Sequence, residues 1–133
     1  MQALTDEYSN RIGRYVPTET HELRSEAALL ELLGKERTRP LLVRLDSRGR
    51  QMSSEELSAF VRTQQEHGTQ LLVFAVGPAD GWNESLWRDS GVSGHTLSLG
   101  KMTLAHEIAR VVLLEQVYRA LTILAGHPYH LGH

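Results

Sequence analysis

Cysteine is absent from this 133-residue chain. That excludes a disulfide framework, a thiol nucleophile and thiolate metal sites, and is what an intracellular protein can have. Long apolar runs are missing too: none approaches the roughly 20 residues that cross a bilayer, and no basic-apolar-small signal pattern opens the chain. The expectation is a cytoplasmic protein. Nor is there an excess of positive charge, since 14 Lys and Arg face 16 Asp and Glu for a net charge of -2. The summed charge therefore does not announce a nucleic-acid binder, although it does not register a local basic patch on an assembled dimer. Neither a dinucleotide-binding glycine fingerprint nor a phosphate-binding loop with its lysine occurs, so dehydrogenase and nucleotide-hydrolase readings lose support. No repeat, low-complexity tract or linker interrupts the chain, and its 133 residues fit one domain, residues 1–133, around a single core.

What is present alternates between helix and strand signals. Leu4 to Tyr15 reads as a polar surface helix that Pro17 ends. Thr20 to Arg24 has the length of a short strand, and Ser25 then caps a helix carrying Leu29, Leu30, Leu32 and Leu33 before Gly34. Pro40 introduces Leu41-Leu42-Val43-Arg44-Leu45, an apolar strand expected to end at Asp46 and a polar loop with Gly49. Ser53 and Glu56 have the spacing of a capping box ahead of Leu57, Phe60 and Val61, and Gly68 supplies the stop. Leu71 to Val76 is a continuous apolar run, as buried parallel strands are, followed by the turn Gly77 to Gly81. A short helix around Asn83 to Arg88, a strand from His95 to Leu99, and a long helix from about Thr103 to Ala125, closed by Gly126 and Pro128, complete the pattern.

This alternation predicts an α/β domain on a mostly parallel sheet. Ligands of such sheets bind outside the carboxyl ends of the strands, and glycine stands at three of those ends: Gly49, Gly77 with Gly81, and Gly100. Each glycine taken alone is better explained by turn chemistry; their joint placement is what points to a cofactor held close to backbone. In the last helix, apolar residues from Ile108 through Val111, Leu113, Val117 and Leu121 to Leu124 cover more than the roughly 100° stripe that one core contact needs. Such a helix requires cover on two sides, and a second subunit in a twofold homodimer is the expected second cover.

Side chains able to do chemistry gather late in the chain. Of seven histidines, His95, His106, His127, His130 and His133 stand at or after position 95. The segment Gly126-His127-Pro128-Tyr129-His130 leaves three readings open. It could ligate a metal, though no carboxylate accompanies the histidines; it could be a loose polar tail; or it could fold over a substrate base, where tyrosine stacks and histidine moves a proton near neutral pH. Glu115 and Arg119 are spaced i,i+4, an ordinary helix-surface pair unless apolar surroundings make it more, and Glu107 with Arg110 is read the same way. His106 is equally a structural residue at a helix start or a functional one.

Three segments taken together, Leu99-Gly100-Lys101-Met102-Thr103-Leu104-Ala105-His106, the run Arg110 to Ala120, and His127-Pro128-Tyr129-His130, resemble the RlmH (YbeA-like) family of SPOUT-class methyltransferases, which methylate N3 of a pseudouridine in 23S ribosomal RNA. Leu45-Asp46 with Gly49 and the Gly77 to Gly81 turn fall at matching places, so the resemblance spans nearly the whole chain. It implies a sheet with helices on both faces and a C-terminal trefoil knot, an exception to the rule that chains avoid knots. The implied cofactor is S-adenosyl-L-methionine, held largely through backbone by Leu45, Gly77, Gly100, Lys101, Met102, Thr103, Leu104 and Ala105. No metal is implied. The active site would form at a homodimer interface, with Glu115, Tyr118, Arg119, His127, Tyr129 and His130 around ribosomal RNA or an assembled ribosome. Glu115 or a tail histidine would take the N3 proton, and Arg119 or Lys101 would stabilise the anion or a phosphate.

The chain departs from the family pattern in three ways. Family members begin with a strand and glycine loop roughly 15 to 20 residues ahead of the helix that opens this sequence, a span close to one strand-loop unit; without it, a sheet edge would be exposed. Pro78 stands where the turn usually has its second glycine, and Ala105 where a proline usually precedes His106. Two other functions therefore compete with methyl transfer: a catalytically weakened or inactive knotted dimer that serves as a cofactor- or ribosome-binding module, and a flavodoxin-like nucleotide binder with no knot.

Overall fold

A computed structural model describes residues 1–132; His133, among the histidines named above, lies outside the described residues. In chain order the elements are α1 (Gln2–Gly13), α2 (Glu26–Gly34), β1 (Leu41–Gln51), α3 (Ser54–Glu66), β2 (Leu72–Val76), α4 (Glu84–Ser90), β3 (Ser93–Ser98) and α5 (His106–Ala125), with a 3-10 turn at His130–Gly132. They group into two compact units. A sheet unit contains His21–Gln51 and Gly68–Thr103; a helical unit contains Met1–Thr20, Met52–His67 and the chain from Leu104. Among the described residues no helix is long and apolar enough to cross a membrane.

Local chemistry accounts for the helix ends. The Ser25 hydroxyl accepts the Ala28 N–H at 3.1 Å, and Ser53 with Glu56 forms the reciprocal capping box, each of its bonds 3.0 Å long. Asn83 caps α4 by accepting the Leu86 N–H at 3.2 Å. Gly126 ends α5 in the left-handed conformation, φ 71°, where a side chain would be strained.

The sheet unit has three parallel strands in the order β2-β1-β3. Leu45 of β1 lies opposite Val76 on one side and Leu97 on the other, so the carboxyl ends of all three strands emerge at one edge. Side chains alternate between the two faces of each strand. Leu42 and Ala75 share one face and build a core with Leu29 and Leu33 of α2 and Trp87 of α4, against which Leu30, Val73, Trp82 and Val92 pack. Val43 and Leu97, from the opposite face, are buried as well.

Three expectations are corrected here. Thr20 to Arg24 forms no strand; a stretch of strand length becomes a strand only within a ladder. Strand β1 does not stop at Asp46 but runs to Gln51, its last residues re-pairing with Leu97 and Ser98 after a register shift. Gly49 is thus not a turn glycine at a strand end. A Cβ there would lie 2.8 Å from the Thr96 carbonyl carbon and 2.9 Å from the Leu97 nitrogen, so glycine is required for backbone to approach backbone. Helix α5, finally, starts at His106 rather than Thr103, leaving Gly100 to Ala105 irregular.

In the helical unit α5 packs against both α1 and α3. Ala120 and Thr122 have no exposed surface, and Leu113 and Leu121 are buried, each leucine contributing roughly 1.5–3 kcal/mol by leaving water. The broad apolar surface of α5, read from sequence as needing a second subunit, thus has two covers within its own chain, while Ile108 in its first turn stays exposed.

Candidate active site

At the carboxyl edge of the sheet unit the functional surface is mostly backbone. The Leu45 carbonyl accepts the indole N–H of Trp82 at 2.7 Å. Beside it, a Cβ on Gly77 would fall 2.5 Å from the Trp82 ring, so the bare Gly77 backbone is what lets the indole lie there. After Leu45, the Asp46 carboxylate accepts the Arg48 N–H at 2.9 Å and the Arg48 guanidinium at 3.4 Å. That backbone bond, followed by the Arg48 side chain, holds the Asp46 carboxyl below the usual carboxylate range against the opposing effect of burial. The Ser98 hydroxyl, almost fully buried, accepts the Gly100 N–H at 3.0 Å and faces the carbonyls of Ser47 and Gly100. It thereby ties the turn after β3 to the Asp46–Gly49 excursion of β1. Gly100 has φ 133°, and a Cβ on it would meet nothing within 4 Å. The residues that follow, Lys101, Met102, Thr103, Leu104 and Ala105, are all exposed, Met102 by 83%.

The helical unit gathers side chains instead. Glu115 and Arg119 of α5 form a two-pronged ion pair with bonds of 2.6 and 3.3 Å, their side chains only 19% and 13% exposed. This is more than a surface pair, because both groups have left most of their water and depend on each other. The hydroxyl of Tyr129 donates to Glu115 at 2.8 Å, and the amide of Gln116 donates to it at 3.0 Å. Arg119 also reaches the Nδ1 of His130 at 3.0 Å and lies over the Tyr129 ring at 4.9 Å. The other ring nitrogen of His130, Nε2, meets Glu55 of α3 at 2.9 Å. A neutral imidazole protonated at Nε2 satisfies both contacts, accepting from Arg119 and donating to Glu55. Tyr118 closes the group edge-on to Tyr129, ring centroids 4.7 Å apart.

Protonation states follow from these neighbours. Burial, then hydrogen bonds with Tyr8 and Glu115, push the Tyr129 hydroxyl well above the ordinary tyrosine value. Tyr129 is therefore a neutral donor, not a base. The hydrogen bond to Glu115 raises Arg119 further above its already high value, so its charge is permanent.

Of the side chains expected from sequence, Glu115, Tyr118, Arg119, Tyr129 and His130 are brought into one cluster. His127 is not: its exposed ring accepts the Tyr129 backbone N–H at 3.1 Å and serves the turn. Among the described residues, no three His, Cys, Asp or Glu side chains gather as metal ligands. The tail is not loose over His130–Gly132 but folded, and docked through Tyr129 and His130. Several participants escaped the sequence reading. Glu55 looked like any acidic residue in a first helical turn, favourable there to the helix dipole. Tyr8, Tyr15 and Arg11 surround Tyr118, with Arg11 5.5 Å from its ring, and nothing local signals that contact. Trp82 was visible only as an aromatic after a glycine turn.

An α/β chain whose parallel strands end together at a glycine-bearing, backbone-lined edge has the architecture that holds a small ligand outside the carboxyl ends of its strands. Comparison with known proteins makes the assignment specific. The family described as "Predicted SPOUT methyltransferase" matches residues 1–130. A "Ribosomal RNA large subunit methyltransferase H" from Koribacter versatilis is 53% identical over 134 aligned positions, covering 100% of this chain and 90% of that protein. Proteins of the same name from Geotalea daltonii and Geobacter sp. strain M21 are 44% and 43% identical, each covering 94% of this chain and 86% of the relative. The chain belongs to the SPOUT methyltransferase family, which sets aside the flavodoxin-like alternative.

Proposed function

We propose that this protein transfers a methyl group from S-adenosyl-L-methionine to N3 of a pseudouridine in 23S ribosomal RNA of the large subunit. It does so in the cytoplasm as a homodimer, each chain a single trefoil-knotted domain with helices on both faces of its sheet. One observation carries the reading: a relative named for methylating large-subunit ribosomal RNA is 53% identical across the whole of this chain. The exposure of the apolar residues Met102 (83%), Leu104 (37%) and Ile108 (42%) supports a covering partner, because apolar surface of this kind is spent at interfaces or on ligands.

The sheet edge fits the cofactor. Gly100 faces open space, the exposed run after it offers backbone groups beside an apolar methionine, and in-register pairing brings Leu45, Val76 and Leu97 side by side just ahead of the turns. Leu45, Gly77 and the run Gly100, Lys101, Met102, Thr103, Leu104 and Ala105 would hold it. When bound, S-adenosyl-L-methionine supplies an electrophilic methyl group on a sulfonium.

The chain's own residues must then align the acceptor nitrogen and remove its proton. Arg119, fixed by Glu115, presents a permanent positive charge to a phosphate or to the oxygens of the deprotonated base. Glu115 already accepts from Arg119, Tyr129 and Gln116, so its role is to order those donors. His130 is the proton acceptor. When substrate draws the Arg119 N–H away from Nδ1, that nitrogen is free to take the N3 proton, and Glu55 at Nε2 stabilises the imidazolium formed. Tyr129 supplies ring surface to the base, backed by the buried ring of Tyr118, and Lys101 supplies a second cation.

Tritiated-methyl transfer to ribosomes lacking the modification tests the proposal. Wild-type protein should label one pseudouridine of 23S RNA, while His130→Ala and Glu55→Gln should lower the rate roughly 100-fold and several-fold, within the range for a general base and its support. Absence of labelling by wild type would overturn the function; full activity of His130→Ala would overturn only the role of the base.

A further inference from the structure

The indole of Trp82 joins Leu45 of β1 to the Gly77 turn after β2, and the proposed methyl transfer does not use it. Its N–H donates to the Leu45 carbonyl at 2.7 Å, and its six-membered ring occupies the space a Gly77 side chain would take, 2.5 Å from the Cβ position. The ring is itself held in place. Trp87 meets it edge-on with centroids 5.8 Å apart, and the Arg44 guanidinium lies 5.4 Å from its centroid. Arg44 is in turn gripped by both oxygens of Glu84, at 3.0 and 3.2 Å. Trp87 donates to Glu26 at 2.8 Å, and Glu26 also accepts the Asn83 N–H at 2.9 Å, which pins the chain just after Trp82. A partly buried indole fixed from several directions, between two backbone segments assigned to the cofactor, is a wall rather than a surface decoration.

We infer that Trp82 is a positioning residue for the adenosine end of the cofactor. It locks Leu45 of β1 and the Gly77 turn at a set separation and forms the side of the cofactor pocket beside them. This inference rests on the proposed use of S-adenosyl-L-methionine at that edge. It also reassigns Gly77: glycine is required there to admit the indole, so its contribution to cofactor binding passes through Trp82. Trp87, only 5% exposed and hydrogen-bonded to Glu26, supports Trp82 from behind and does not face the ligand.

The test uses full-length protein and S-adenosylhomocysteine as the probe. Because the chain has two tryptophans, Trp87→Phe leaves Trp82 as the sole indole and Trp82→Phe leaves Trp87. Titration should change the fluorescence of the Trp87→Phe protein with the dissociation constant seen by calorimetry, and leave that of the Trp82→Phe protein unchanged. By calorimetry Trp82→Phe, which keeps the ring and loses the hydrogen bond, should bind up to about tenfold more weakly. Trp82→Ala should bind more weakly still, and KM for S-adenosyl-L-methionine should rise in both variants with KM for ribosomes unchanged. A double-mutant cycle then separates direct from indirect roles. Gly77→Ala alone should weaken binding, whereas Gly77→Ala combined with Trp82→Ala should be no weaker than Trp82→Ala alone. Affinity at the wild-type level in folded Trp82→Ala, a silent Trp82 while calorimetry records binding, or strictly additive losses in the cycle would each overturn the inference alone. A wild-type protein that binds no S-adenosylhomocysteine would overturn the cofactor assignment and this inference together.

Discussion

The sheet unit offers its candidate site mostly as backbone, whereas the helical unit offers side chains. At the sheet edge the candidate groups are the Leu45 carbonyl, the Gly77 and Gly100 turns and the exposed run after Gly100; in the helical unit they are the carboxylate and guanidinium of Glu115 and Arg119 on α5 and the phenol and imidazole of Tyr129 and His130 beyond it. Each kind of site has its own weakness. A backbone site tolerates many changes of side chain around it but not the addition of one atom where a glycine admits a close approach. A side-chain cluster tolerates little at its charged centre, because removing one partner leaves the others partly buried and unmatched.

Breaking the cluster at its centre should have the largest effect. Arg119→Ala is expected to lower methyl transfer by about 10²–10³-fold, the usual loss when a positioned charge facing the transition state is removed. Arg119→Lys should recover little of it, since an ammonium cannot hold both oxygens of Glu115 and reach His130 as a planar guanidinium does; single-turnover kinetics on unmodified ribosomes decide this. On the backbone side, Gly49→Ala places a methyl group within 3 Å of the β3 backbone and should destabilise the fold by roughly 1–3 kcal/mol, the usual range for overpacking, measurable by urea denaturation. The smallest effect concerns Asp46. Because its carboxyl is held below the usual range in the folded state, its charge stabilises the protein at pH values above the unfolded value of about 4, and that contribution disappears as pH falls through and below it. The stability difference between wild type and Asp46→Asn should stay constant between about pH 6 and 8 and shrink below about pH 4; a difference that grows on acidification would reverse the assignment.

The same contrast explains what was legible in the sequence. The Ser25 and Ser53 caps, the Gly126 stop and the apolar cores of β1 and β2 are written in a few adjacent residues, and all are found where they were read. The extension of β1 past Asp46 was not legible, because it depends on Leu97 and Ser98 being available as partners some fifty residues away. For the same reason Thr20 to Arg24, equally strand-like alone, forms none. Glycine placement pointed to the carboxyl edge of the sheet, but the tight neighbours of two glycines were not legible: Gly49 admits the adjacent strand and Gly77 admits an indole. In the cluster, resemblance to a family named Glu115, Tyr118, Arg119, Tyr129 and His130, while Glu55 required the fold, since only tertiary structure sets it against His130. His127 shows the converse, a residue that matches a motif but bonds to its own turn.

Calorimetric titration of Arg119→Ala with S-adenosylhomocysteine tests the division of labour most directly. If the sheet edge alone holds the cofactor and the α5 cluster handles the RNA base, affinity should stay within about twofold of wild type while methyl transfer is lost, the pattern of an interaction made only in the transition state. Loss of cofactor binding in a folded Arg119→Ala protein would contradict the account.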